Sequence, residues 1–319
     1  MKVVLVPREH IWASVTDEQA EAIRSAGASE LIVTADRAEL LREIRDADAL
    51  IGDIDEEILE HAGQLHWVQS LSSGVDAMLF PAFIESDVIL TSEKGLVGPH
   101  LADHAFGLLL SLTRSLAWAA RQRRWDNRLP MRRASRELTR MTAGIIGFGG
   151  TGSAVALRAN AFGMRSLAID PDVTERPEYV QALDPPERLQ EMASTADVLF
   201  VCCPLTQATY HMVDGPILDA MPPGGFVINV TRGPIVDPDA LVSALEREHL
   251  AGAGLDVTEP EPLPDDHPLW SFDNVIISPH TAGASQHRVG RVQRRVIRNI
   301  RHLAKDEPLE GVINKHKGY

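Results

Sequence analysis

Residues 142–152, Thr142-Ala143-Gly144-Ile145-Ile146-Gly147-Phe148-Gly149-Gly150-Thr151-Gly152, decide the fold. An apolar run over Ala143–Ile146 predicts a strand, and the Ala- and Leu-rich residues after Gly152 predict a helix. Between them the glycines fall at the spacing G-x-G-x-x-G. Gly147 permits the tight turn, Gly149 lets the backbone approach a ligand, and Gly152 lets the helix pack on the strand. A helix that starts this way presents unpaired N–H groups and the positive end of its dipole to a diphosphate. Asp170 ends the next predicted strand, 18 residues past Gly152. An acidic residue there accepts from ribose hydroxyls and repels a 2′-phosphate. Asp172 adds negative charge, and no Lys or Arg follows until Arg176. The motif therefore points to NAD rather than NADP.

Downstream, strands are predicted at Ser166–Ile169, Val198–Cys202, Phe226–Val230, Gly254–Val257 and Val275–Ser278. With Ala143–Ile146 they make six strands with helices between them, the number in a doubly wound dinucleotide-binding sheet. Upstream, Val3–Val6, Leu31–Val33, Leu50–Ile51, Trp67–Gln69 and Val88–Leu90 read as strands. Thr16-Asp17-Glu18-Gln19 has the form of a capping box opening a helix that ends near Gly27. Pro99 can occupy a first helical turn, and Leu101, Phe106, Leu109 and Leu112 give its helix a long apolar stripe. That stripe suits burial between domains or subunits. A basic helix, about Gln286 to Leu303, is expected to return to the first domain. The fold class is α/β: a Rossmann doubly wound parallel sheet inserted into a second, flavodoxin-like α/β domain. The expected domains are 1–98 plus 284–319, a substrate (lid) domain, and 99–283, which binds NAD.

The composition fits a soluble globular protein: 319 residues, 44% hydrophobic and 24% charged. No apolar run approaches the roughly 18 residues that span a bilayer, and the N-terminus enters a strand directly, so a cytoplasmic location is expected. A net charge of −14 argues against a nucleic-acid surface. Eight arginines between Arg121 and Arg140 are the local exception, read as a solvated connection or a subunit contact. Cys202 and Cys203 are neighbours and cannot form a disulfide framework or a zinc site. His100 and His104 stand four apart on a predicted helix with no third ligand in view, so they read as structural and no metal is expected.

Three chemistry-bearing residues follow ends of predicted strands: Arg232 after Phe226–Val230, Glu261 after Leu255–Val257, and His280 after Ile276–Ser278. Open α/β sheets bind ligands at that edge. Here the sequence resembles the D-isomer-specific 2-hydroxyacid dehydrogenases over nearly its whole length, most strongly from Gly144 to Ser285. The resemblance is carried by residues 195–198 (TADV), 203–206 (CPLT), 229–237 (NVTRGPIVD), 254–257 (GLDV), 261–264 (EPLP) and 278–283 (SPHTAG).

The resemblance implies an NAD-dependent enzyme that moves a hydride between the cofactor and C2 of a small 2-hydroxy or 2-oxo acid, glyoxylate or hydroxypyruvate among the candidates. It implies His280 as the proton donor and acceptor, a task suited to an imidazole whose unperturbed pKa is about 6.5. Glu261 would orient that ring and favour its charged form, and Arg232 would anchor the substrate carboxylate with a planar fork. Asp256 would face the nicotinamide carboxamide. Gly150, Thr151, Cys203, Pro204 and Thr231 join the glycines and Asp170 as cofactor contacts. In the first domain, Ser72-Ser73-Gly74-Val75-Asp76 resembles the family's substrate loop, with the Ser73 and Gly74 amides on the carboxylate. Catalysis would take place between the domains, in a homodimer joined through the helix after Pro99.

Two positions depart from the family pattern: Ser92-Glu93-Lys94-Gly95 where Asn is common, and Asp103 where Glu is usual. Formate dehydrogenases of the superfamily carry Gln at the place of Glu261. The competing functional class is an NAD(H)-sensing interaction protein like the C-terminal-binding corepressors, which can retain Arg, Glu and His.

Overall fold

The structure is a computed structural model that describes residues 1–173 and 175–319. It divides into two compact units, Met1–Val97 with Ser285–Tyr319, and Gly98–Ala284.

The first unit holds strands β1 (Lys2–Leu5), β2 (Glu30–Val33), β3 (Ala49–Ile51), β4 (Trp67–Gln69) and β5 (Ile89–Thr91). They form one parallel sheet in the order β2-β1-β3-β4-β5, the flavodoxin-like winding. Alternation along each strand divides the core. Val4, Leu50 and Val68 pack on one face with Leu40, Ile44 and Phe83. Val3, Leu5, Ile51 and Trp67 pack on the other with Ile23 and with Val292, Val296 and Ile300 of the helix Arg288–Leu303. Each of those three helix residues is buried, worth roughly 1.5–3 kcal/mol apiece. The capping box is present in both halves: the Gln19 amide donates to Thr16 Oγ1 and the Thr16 amide to Gln19 Oε1.

The second unit holds β6 (Thr142–Ile146), β7 (Arg165–Ile169), β8 (Ala182–Asp184), β9 (Val198–Val201), β10 (Gly225–Asn229), β11 (Leu250–Leu255) and β12 (Val275–Ile277). All pair in parallel, in the order β12-β11-β10-β9-β6-β7-β8. This is the Rossmann winding with a seventh strand, β12, beside β11. The sequence reading of six strands missed β8 and began β11 four residues late. The winding reverses between β6 and β9, so the crevice at their carboxyl ends is the ligand position of such sheets.

The helix Gly98–Thr113 turns its apolar stripe inward, onto its own unit. Phe106 stacks on Phe162 and Phe200 at 5.2 and 5.4 Å between ring centroids. Gly254 of β11 has no room for a side chain because a Cβ would stand 2.8 Å from Leu108 Cβ. Leu101, Phe106, Leu108 and Leu109 are buried within this unit, whereas Leu112 and Trp118 farther along the expected stripe are only partly buried.

Candidate active site

The glycine turn is tight on its protein side and open on the other. Gly147 has φ +88°, and a Cβ there would lie 2.7 Å from the backbone of Cys203, so the end of β6 and the end of β9 touch at glycine. A Cβ on Gly152 would lie 2.0 Å from the Gly147 carbonyl oxygen. Gly149, in contrast, opens onto space with no protein atom within 4 Å of an added Cβ. The helix Gly150–Ala161 begins at Gly149 with no side chain capping it and no acidic residue in its first turn. Thr151 is buried beside it, and Pro204 follows Cys203 on the β9 side. A turn with an uncapped dipole and an open approach fits the dinucleotide.

Asp170 follows β7, the strand beside β6. Its Oδ2 accepts from the Phe148 amide at 2.8 Å, and its Oδ1 from the Asp172 and Val173 amides, both at 2.9 Å. The carboxylate is thus fixed next to the turn. Arg176 donates to the Val180 carbonyl of its own loop. Cys202 and Cys203 are free and buried, and burial drives both thiols up, that of Cys203 to about 12. They are packing residues, not nucleophiles.

Beyond β10, Asn229 is buried and holds the following loop. Its Oδ1 accepts from the Thr231 amide at 3.1 Å, and its Nδ2 donates to the Arg232 carbonyl at 2.8 Å. The half-buried Arg232 guanidinium donates to the Thr231 carbonyl. Gly233 comes so close to the loop after β11 that a Cβ would stand 1.9 Å from the Thr258 carbonyl oxygen. The segments bearing Arg232 and Glu261 are therefore in direct backbone contact.

His280, past β12, and Glu261, past β11, form a pair: Nδ1 lies 2.6 Å from Glu261 Oε1. Both side chains keep more than two-fifths of their surface in reach of solvent, 47% and 41%. That exposure suits a group that must meet a reactant. The bond at Nδ1 leaves Nε2 of this half-exposed ring outside the pair. His280 itself adopts φ +52°, a left-handed conformation uncommon outside glycine, and its amide donates to the Asp256 carbonyl at 2.8 Å.

Asp256 supplies the frame for this loop. Its carboxylate is buried and accepts from Ser278 Oγ at 2.7 Å, the Thr281 amide at 2.9 Å and the Ala282 amide at 2.8 Å. His104 Nε2 lies 2.8 Å from Ser278 Oγ and 3.3 Å from Asp256 Oδ1. Burial pushes the carboxyl of Asp256 up, but the bonds from His104, Ser278 and the two amides prevail and hold it below the ordinary range. His104, considered in the sequence only as a partner for His100, thus belongs to a network spanning 174 residues of chain. Among the described residues no group of three or more His, Cys, Asp or Glu could hold a metal ion.

In the first unit, the loop after β4 places Ser73 and Gly74, both half-buried. Ser72 accepts from Arg8 at its Oγ, 2.6 Å away, and its carbonyl accepts from the Glu93 amide. Among the described residues the Ser73 and Gly74 amides find no acceptor. Glu93, at the departure from the family pattern, is buried and bound by Nε and Nη2 of Arg288. Burial nevertheless raises its carboxyl above the ordinary value.

Residues 106–282 match the family described as D-isomer specific 2-hydroxyacid dehydrogenase, NAD binding domain. A glyoxylate reductase of Thermofilum pendens is 35% identical over 290 residues, covering 88% of this chain and 85% of that one. A Thermus thermophilus protein of known structure is 32% identical with a TM-score of 0.78, covering 98% and 99% of the two chains. The NAD complex of an NAD-dependent formate dehydrogenase from Staphylococcus aureus is 26% identical with a TM-score of 0.77, over 98% and 99%.

Proposed function

The chain belongs to the D-isomer specific 2-hydroxyacid dehydrogenase family and is a nicotinamide-dependent oxidoreductase of 2-hydroxy and 2-oxo acids; from that premise we propose how its residues divide the work and which acids it takes. The observation that carries the reading is the 2.6 Å pair of His280 and Glu261, on adjacent strand ends beside the Arg232 loop. His280 Nε2 delivers a proton to the C2 carbonyl oxygen in reduction and removes it from the hydroxyl in oxidation. Glu261 holds Nδ1 and offsets the charge of the imidazolium. Arg232 grips the carboxylate of the acid. In the first unit, Ser73 and Gly74 are the substrate-binding residues, through their backbone amides. The bound nicotinamide supplies or accepts the hydride at C2. The glycine turn with Thr151, Cys203, Pro204, Thr231 and Asp256 holds the cofactor, and Asp170 favours NAD over NADP.

The substrates are small, glyoxylate and hydroxypyruvate foremost, a choice supported by the glyoxylate reductases among the relatives. Those relatives are enzymes, which weighs against the corepressor-like alternative. The protein is a homodimer, for which exposed Trp125 and Leu129 in the arginine-rich segment, with exposed Leu116 just before it, are the supporting apolar surface. Two free, buried cysteines and no helix long and apolar enough to cross a membrane, among the described residues, are consistent with the cytoplasm as its place. The test is a panel of glyoxylate, hydroxypyruvate, pyruvate and bulkier 2-oxo acids with NADH and NADPH. The proposal expects the highest kcat/KM with NADH and one of the first two acids. Selective turnover of bulky acids, or preference for NADPH, contradicts it.

A further inference from the structure

A second histidine–glutamate pair lies in the same unit and has no part in the reaction described so far. His211 Nε2 stands 2.6 Å from Glu259 Oε2, and the Tyr210 hydroxyl donates to Glu259 Oε1 at 3.4 Å. The Tyr210 and His211 rings stack at 4.0 Å between centroids. The backbone amide of His211 donates to the Pro234 carbonyl at 2.8 Å, and Val213 bridges to Val236. One residue thus joins two segments: its backbone grips the loop two positions after Arg232, and its side chain grips the loop two positions before Glu261. It does so from a left-handed backbone, φ +48°, which a non-glycine residue adopts rarely and at a cost. The backbone contact of Gly233 with Thr258 brings these segments together, but a contact alone does not stop them sliding. A half-buried hydrogen bond between an imidazole and a carboxyl group, 30% and 26% exposed, supplies direction.

We propose that His211 is a positioning residue that, through Glu259, fixes the Glu261 segment against the Arg232 segment and so sets the aim of His280. The proposal rests on the dehydrogenase reading of Glu261 and Arg232. Its consequence is selective: loosening the Glu261 side disturbs proton transfer more than carboxylate capture. Displacements of about 1 Å in such constellations lower rates by up to about 100-fold.

The test compares wild type, His211→Ala, Glu259→Ala, Glu259→Gln and the double alanine variant. The alanine variants are expected to lose roughly 10- to 100-fold in kcat while KM for the 2-oxo acid stays within about 3-fold. The double variant is expected to be no worse than either single, because the residues act as one device. Glu259→Gln keeps an acceptor for the imidazole and is expected to recover most of the loss. Amide hydrogen exchange over residues 256–263 reads the same clamp without turnover and should accelerate in both alanine variants. Unchanged exchange overturns the proposal even if the protein turns over none of the acids, an outcome that would sink the dehydrogenase reading separately. Equal losses for Glu259→Gln and Glu259→Ala, or losses confined to KM, also overturn it.

Discussion

His280 Nδ1 lies 2.6 Å from Glu261 Oε1, and each residue follows a different one of two neighbouring parallel strands, β12 and β11. The sheet, not the local chain, therefore fixes which ring nitrogen is occupied and which is left for a substrate. Replacing His280 by Ala should lower kcat by roughly 100- to 10,000-fold, the usual range for a general acid, with the Kd for NADH changed less than about 3-fold. Glu261→Gln keeps an oxygen for Nδ1 and should lose less than His280→Ala. Stopped-flow turnover and fluorescence titration of NADH separate these quantities. A His280→Ala variant with near-normal kcat would remove His280 from the mechanism.

Gly149 and Gly152 should respond to the same change in opposite ways. An alanine methyl at Gly152 meets the Gly147 carbonyl at 2.0 Å, so Gly152→Ala should lower the melting temperature by several degrees, about 5 °C or more. At Gly149 the methyl meets no protein atom, and φ is −72°, so Gly149→Ala should melt as wild type does. The methyl would instead occupy the approach of the diphosphate, and the Kd for NADH should rise at least about 10-fold. Calorimetry of both variants with and without NADH checks the contrast.

Asp256 carries a pH signature with a definite sign. Its carboxyl is held below the ordinary range in the folded protein, so it binds fewer protons there than in the unfolded chain. The stability it contributes is present above the ordinary value of about 3.9 and is lost as pH falls through the depressed folded value. Asp256→Ala leaves two amides and a hydroxyl without their acceptor and should cost about 3 kcal/mol near pH 7. The gap between wild type and variant in urea unfolding should narrow as pH drops below about 4. A gap that widens on acidification would contradict the sign.

Glu93 behaves the other way. Burial holds its carboxyl above the ordinary value although Arg288 binds it. A raised acid favours folding below its unfolded pKa, about 4.3, and loses that advantage as pH rises through the folded value. Arg288→Met would strip the partner from a buried carboxylate, costing about 3–5 kcal/mol at pH 8. The deficit should shrink between pH 8 and pH 5 as the carboxyl takes up a proton, which denaturant titration at the two pH values measures.

Legibility in the sequence follows periodicity and motif spacing. The glycine turn, the capping box at Thr16–Gln19 and the apolar run at Val3–Val6 are local signals, and each stands in the structure within a residue of where the sequence places it. Strand β8 escapes a sequence reading because Ala182-Leu183-Asp184 is short, sits at the sheet edge and is only half-buried, so no alternation marks it. The start of β11 escapes it because Ala251-Gly252-Ala253-Gly254 has low strand propensity. Those glycines answer to neighbours distant in sequence: Gly252 to the Asn274 carbonyl and Gly254 to Leu108. His104 with Ser278 and His211 with Glu259 stay hidden for the same reason, since a polar contact across tens of residues leaves no periodic trace. The stripe of the helix Gly98–Thr113 is legible as apolar, but a stripe does not name its cover.

The central claim is tested most directly by following the hydride itself. NADH carrying deuterium at the transferable C4 position, mixed with glyoxylate or hydroxypyruvate, should give a 2-hydroxy acid labelled at C2. From hydroxypyruvate the product should be the D isomer. Consumption of labelled cofactor with the deuterium found elsewhere, or an L product, would contradict the account.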